Sequence, residues 1–246
     1  MKLLLVNPNT SAAMTAAIAE AARRAAAPGT TITAVNPAFG PTSIEGHYEE
    51  ALAAAGVAQV VREQQREPAA AHDAIVLACF GDPGLDAARE VSAAPVLGIA
   101  EAAFHAASFV ATGFSVVTTM TRTCIIAEHL LHRYGFERRC RGVHGTDIPV
   151  LELDDPASDA FARIEAAART ALERDRSGAI VLGCAGMATL TRTLSERLQV
   201  PVIDGVAAAV KFAEALVALG LTTSQRGDYA RPRPKRTLGW AAPLGW

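Results

Sequence analysis

The segment "AIVLACFGDPG" at 74–84 returns as "AIVLGCAGMAT" at 179–189, and each copy carries a short apolar run into a cysteine and a glycine-bearing loop. Cys79 and Cys184 lie 184 − 79 = 105 positions apart. "PVLGIAEAAFHAA" from Pro95 corresponds to "PVIDGVAAAVKFA" from Pro201 at an offset of 106, and "LLLVNPNT" ending at Thr10 to "FSVVTTMT" ending at Thr121 at 111. Offsets that agree within a few residues mean that one supersecondary pattern is folded twice. A chain of this kind must build two similar halves and bring their equivalent loops into register.

Strand-type runs at 2–6, 31–35, 74–78, 96–99, 114–118, 179–182 and 202–203 alternate with alanine-rich helical stretches, which predicts an α/β fold on mainly parallel sheets. Asn9 or Thr10 is expected to cap a helix reaching Ala27, Asp82 to place a capping carboxylate ahead of Pro83, and Thr121 to open a helix that Gly135 closes. The repeat divides the chain into a first α/β domain, residues 1–98 plus 207–246, and a second, residues 99–206, with the last helix (Val206 to Leu219) returning to the first. Ligands of open α/β sheets bind outside the carboxyl ends of the strands. Cys79 and Cys184 both stand at such ends, so the expected site is a cleft faced from opposite sides by two thiols.

Composition narrows the partner. Half of the 246 residues are hydrophobic, enough for a sizeable core, and 23 basic residues nearly balance 25 acidic ones. A net charge of −2 offers no field for nucleic acid or an anionic membrane and fits a small neutral or weakly anionic substrate. "MKLLLV" runs directly into "NPNT" without a longer apolar stretch and reads as a strand rather than a signal. The apolar region 102–117 is interrupted by His105, Ser108, Thr112 and Gly113, well short of the ~20 residues of a membrane span. The tail after Gly227, rich in proline and basic residues, reads as irregular.

The four cysteines fall in no C-x-x-C spacing, which argues against a zinc or dithiol site and for free thiols in a reducing cytoplasm. Cys124 and Cys140 lack the strand-to-glycine-loop setting and are assigned to structure. His105, His129, His132 and His144 show no metal-ligand pattern, and only His47 in "PTSIEGHYEE" is kept as a site candidate. No metal is expected. Two thiols across a cleft suit a reaction that takes a proton from one face of a carbon and returns one to the other. An ordinary thiol, with a pKa near 8.5, is only a few per cent thiolate, roughly, at pH 7, so the loops are expected to favour ionisation. Phe80 and Gly81 after the first cysteine, with Gly183, Ala185 and Gly186 around the second, bring backbone N–H groups close to the reacting carbon. Asn7, Asn9, Thr118 and Thr119 put uncharged polar groups at the matching strand ends, next to Thr10 and Thr121, whose type also suits turns and caps. Ser43 is a third loop candidate.

Taken together, "NPNTS", "PTSIEGH", "ACFGDPGL", "VTT", "VLGCAGMATL" and "VPVIDGVAAAVK" resemble the hydantoin and allantoin racemase branch of the aspartate/glutamate racemase superfamily, over nearly the whole chain. The resemblance implies two flavodoxin-like domains related by pseudo-twofold symmetry, a cofactor-free two-base mechanism on a small-molecule substrate, and a homo-oligomer. Its paired catalytic cysteines carry over onto Cys79 and Cys184. "GCAGMA" here lacks the histidine of the "GCTHYP" typical of glutamate racemases, which disfavours free amino acids. Gly81 in "FGDPGL", where hydantoin racemases commonly show "FDDPGL", is similar to the allantoin racemases and implies proton transfer at C5 of allantoin, with other 5-substituted hydantoins as the alternative. A binding protein with idle thiols and a Cys79–Cys184 redox pair are the remaining readings.

Overall fold

The computed structural model describes residues 1–65, 71–154 and 157–244. The first half supplies β1 (Lys2–Val6), α1 (Ala12–Ala25), β2 (Thr31–Val35), α2 (His47–Gln65), β3 (Ala74–Leu77), α3 (Leu85–Val91), β4 (Val96–Gly98) and α4 (Ile99–Val110). The second supplies β5 (Phe114–Thr118), α5 (Cys124–Tyr134), β6 (Cys140–Gly145), α6 (Ala160–Asp175), β7 (Ala179–Leu182), α7 (Thr191–Leu198), β8 (Val202–Asp204) and α8 (Gly205–Ala218). Each half forms a four-stranded parallel sheet, ordered β2-β1-β3-β4 in one and β6-β5-β7-β8 in the other. The identical orders are the repeat made visible, two flavodoxin-like units related by pseudo-twofold symmetry.

The central strands β3 and β7 read "AIVL" and are buried at every residue, as strands covered by helices on both faces must be. β6 is the strand that sequence reading does not anticipate. Its "CRGVHG" has two glycines and no apolar alternation, and it forms only at the sheet edge, where pairing with β5 supplies what propensity does not. None of the described helices is long and apolar enough to cross a membrane. After α8 the described tail contains only two short 3₁₀ segments, Gly227–Tyr229 and Gly239–Leu244.

Two caps differ from expectation. Ser11, rather than Asn9 or Thr10, caps α1 by accepting from the Met14 N–H, because the Asn9 side chain is committed to its own loop. Asp82 does not cap the helix that follows it: α3 starts at Leu85 from a left-handed Gly84. Its carboxylate instead accepts from Ala100 N (3.1 Å) and Glu101 N (3.0 Å) at the start of α4, and from the Tyr134 hydroxyl (2.9 Å) at the end of α5.

That arrangement has a counterpart. In the second half Asp204 caps its own helix α8, accepting from Val206 N (2.9 Å) and Ala207 N (3.0 Å). By the offset of 106, Val206 and Ala207 correspond to Ala100 and Glu101, and Asp204 corresponds to Gly98. A Cβ on Gly98 would lie 2.2 Å from Asp82 Cγ. Asp82 thus occupies the volume that a capping side chain at position 98 would fill. The two helices also change sides: α4 packs on β7, β8 and α5, while α8 packs on β3 and α1, and they pack against each other along the joint between the halves.

Replacing Asp82 by alanine leaves two helix N–H groups and a buried hydroxyl unpaired, and is expected to cost about 2–4 kcal/mol in chemical denaturation. Adding Gly98→Asp to that variant rebuilds the cap in the Asp204 manner and should recover a substantial part of the loss. A double variant no more stable than Asp82→Ala would contradict the exchange of caps.

Candidate active site

In both sheets the strand order reverses at the junction of the first and third strands, β1/β3 and β5/β7. Chain connections leave to opposite sides at such a point and open a crevice beyond the carboxyl ends. The four loops that leave these strands carry Asn7 and Asn9, Cys79 to Gly81, Thr118 and Thr119, and Gly183 to Ala185, and all these residues line one pocket. Cys79 and Cys184 therefore face a common space from equivalent positions in the two halves, and no disulfide joins them.

The residue after each cysteine reaches into the other half. Phe80 is buried with α4 and α5 side chains and meets the Phe104 ring edge to face at 5.6 Å. Ala185 is buried among Met14, Ala78 and Val206. Gly183 is required by approach, since a Cβ there would stand 2.5 Å from Thr118 Cβ, and the Thr118 hydroxyl donates to the Gly183 carbonyl at 2.9 Å. Gly186 lies behind Cys184 rather than on the pocket wall, where a Cβ would sit 3.7 Å from its sulfur.

The electrostatics of Cys79 run against a simply activated thiolate. The Gly81 N–H bonds to it and lowers its pKa, as the loop geometry leads one to expect, but burial outweighs this and pushes the thiol up to about 12, aided by nearby Cys184, Asp82 and Glu50. Asp82 is itself pushed up to about 6 by burial, against its bonds from Ala100, Glu101 and Tyr134. Cys140 sits on β6 with its thiol raised to about 11 by burial, and Cys124 opens α5; neither lines the pocket.

Much of the polar loop chemistry is internal. Asn7 Nδ2 donates to Asn9 Oδ1 (2.8 Å) and Thr15 Oγ1 (3.0 Å), and Asn9 Nδ2 contacts the Met14 sulfur, so these amides shape the β1 loop as well as the pocket wall. Thr10 bonds to Pro41 and Thr121 to Asp147, both outside the pocket. Ser43 is also outside; its neighbour Ile44 takes the lining position. His47 is exposed and reaches the pocket only through Glu50, whose Oε2 is 3.4 Å from His47 Nδ1. Sequence reading misses Glu50, Ile44, Thr123, Ile126 and Val150. Glu50 stands in a helix four residues beyond Gly46, amid "HYEE", with nothing local to single it out from its acidic neighbour. Among the described lining residues it is the only charged side chain. No group of three or more His, Cys, Asp or Glu suited to a metal occurs among the described residues.

Residues 3–213 match the family described as Asp/Glu/hydantoin racemase. The hydantoin racemase of Paenarthrobacter aurescens is 43% identical over 238 residues, covering 97% of this chain and 100% of that protein. Among solved structures, allantoin racemase from Klebsiella pneumoniae is 54% identical with a TM-score of 0.95, covering 100% of this chain and 99% of that one. Allantoin racemase from Pseudomonas fluorescens is 42% identical with a TM-score of 0.91, covering 97% and 100%.

A thiol at about 12 is ionised roughly one part in ten thousand at pH 8, against about a quarter for an ordinary thiol near 8.5. Alkylation of Cys79 in the ligand-free protein, followed by peptide mass spectrometry, should be correspondingly slow and still rising with pH beyond 10. A rate that levels off below pH 9 would contradict the burial of this thiol.

Proposed function

The chain belongs to the Asp/Glu/hydantoin racemase family, and from that premise we propose that it interconverts the enantiomers of allantoin without a cofactor, with Cys79 and Cys184 as the two bases. The observation that carries this reading is the pair of sulfurs on one pocket at equivalent strand ends. In one direction a thiolate takes the hydrogen from C5: the C–H bond breaks, an S–H bond forms, and the electron pair moves onto the oxygen of the adjacent C4 carbonyl. The opposite thiol then donates its proton to the other face of C5, and the pair of electrons returns to carbon. Thiolate and thiol have exchanged places, which readies the site for the mirror-image substrate.

The electrostatics oppose two charges on the two sulfurs at once. A charge on Cys184 adds to the burial that raises the Cys79 pKa, so ionisation of one thiol disfavours ionisation of the other and the reaction uses one thiolate and one thiol at a time. Burial that makes the thiolate costly to form also makes it a stronger base once formed, as a weak carbon acid requires. Backbone N–H groups of the lining residues Phe80 and Ala185 stabilise the developing oxyanion, while that of Gly81 holds the Cys79 sulfur. Asn7, Asn9, Thr118 and Thr119 orient a ring rich in amide donors and acceptors.

Among the described residues the lining contains no cation, which suits a neutral ring and leaves a free carboxylate without a partner. That separates this reading from racemases of acidic amino acids. A racemase of other 5-substituted hydantoins is the second reading, favoured by the name of the Paenarthrobacter relative; relative turnover of allantoin and 5-alkylhydantoins decides between them.

Cys79→Ser and Cys184→Ser should each fold normally and lose racemisation of allantoin by at least about a thousandfold, because a serine hydroxyl does not supply an accessible base. Polarimetry against an enzyme-free control measures the loss. Near wild-type racemisation in either variant would sink the two-base assignment.

A further inference from the structure

Glu50 is the residue of the pocket that the reaction as described does not use. Its helix, α2, starts at His47, immediately after the loop that carries Ile44. The His47 imidazole stands at Oε2, and the His47 ring in turn stacks on His129 at 6.4 Å. The other oxygen, Oε1, accepts no hydrogen bond among the described residues and faces Gly81, where an added Cβ would lie 3.6 Å from it. Gly81 therefore opens a space between Cys79 and one free carboxylate oxygen. Glu50 and Gly81 border both the inner pocket and a more open groove shared with His47 and Arg133. A group attached to C5 of a ring held between the sulfurs would meet this space where the pocket adjoins the groove.

A carboxylate at that place is costly for some substituents and favourable for others. An alkyl or aryl group would bury apolar surface against it and strip it of water without giving a hydrogen bond in return. A substituent with N–H donors satisfies it, and a ureido group offers donors that suit a carboxylate acceptor. A site built to bond an N–H discriminates strongly against an analogue without one, because its own polar group is left unpaired.

We propose that Glu50 is the specificity-determining residue of this pocket: its carboxylate accepts hydrogen bonds from the ureido N–H groups on C5, in the space that Gly81 leaves open, with His47 holding it in place. This rests on the racemase reading above and adds the choice of substituent to it. Ile126, 3.8 Å from the same Gly81 Cβ position, forms the apolar side of that space and has no acceptor to replace Glu50.

The test compares kcat/KM for allantoin and for 5-isobutylhydantoin in the wild type, Glu50→Gln, Glu50→Leu and Gly81→Ala. In Glu50→Gln allantoin should lose about tenfold or more, mainly in KM, since a bond to a charged acceptor is replaced by one to a neutral amide. In Glu50→Leu the loss should be larger, while 5-isobutylhydantoin is turned over as well as before or better, so that the preference reverses. Gly81→Ala, whose Cβ makes only ordinary contact, should raise KM for allantoin with the fold intact. Equal losses on both substrates in the Glu50 variants would overturn the proposal, since Glu50 would then act on the ring or the thiols. An unchanged ratio would overturn it too. Wild-type protein that racemises neither compound faster than buffer would overturn the racemase reading along with it, an outcome distinct from either.

Discussion

The buried Asp82 carboxylate ties the Cys79 loop to the far side of the molecule. Three residues beyond the sulfur, it accepts from the first turn of α4, which packs on the second sheet, and from Tyr134 at the end of α5. The same contacts accompany a left-handed backbone at Asp82, φ 45°, a conformation uncommon for a residue with a side chain. Burial raises its carboxyl to about 6, so at neutral pH it carries the negative charge that a helix N-terminus and three donors are placed to hold. The loop that presents Cys79 is thereby set by the half that presents Cys184. Distances between the two sulfurs are then a property of the joint, which is where a two-base reaction needs rigidity.

The symmetry of the molecule is broken where function asks for it. Both halves deliver a sulfur after a buried "AIVL" strand, and both embed the following residue in the opposite core. That equivalence gives two groups able to trade roles. The flanks differ: Gly98 yields its capping place to Asp82, whereas Asp204 keeps its own, and Glu50 stands beside Cys79 with no charged counterpart near Cys184 among the described lining residues. One face of the pocket is therefore more acidic than the other. In the proposed reaction a substrate with donors on one substituent has a preferred way to lie in it, with the reacting carbon between the two thiols.

The strands of both sheets except β6 could be read from apolar runs and turn signals, and the cysteine pair from the repeat, because burial on two faces and repetition both leave marks in a single sequence. β6 left none, since its "CRGVHG" takes strand form only from its β5 neighbour. Asp82 was legible as a cap yet not as the cap of a helix 17 residues away from it, which depends on Gly98 being empty of a side chain. Glu50 was hidden for a similar reason: a surface-type glutamate in a helix becomes a pocket residue only when α2 is laid beside the Cys79 loop. Ionisation of Cys79 is hidden on the same ground. Loop N–H groups can be anticipated from glycine positions, but the enclosure that overrides them at Cys79 is a tertiary property.

The most direct test of two-base racemisation is isotopic. A single enantiomer of allantoin is incubated with the protein in D₂O, the reaction is stopped well before equilibrium, and deuterium at C5 is measured separately in the product and in the recovered substrate, with the enzyme-free rate subtracted. Two thiols on opposite faces predict deuterium in nearly all of the product and almost none in the remaining substrate, because the proton returned to the original face is the one just removed. Equal deuterium in both enantiomers at early times would mean one exchanging base serving both faces, and would contradict the account.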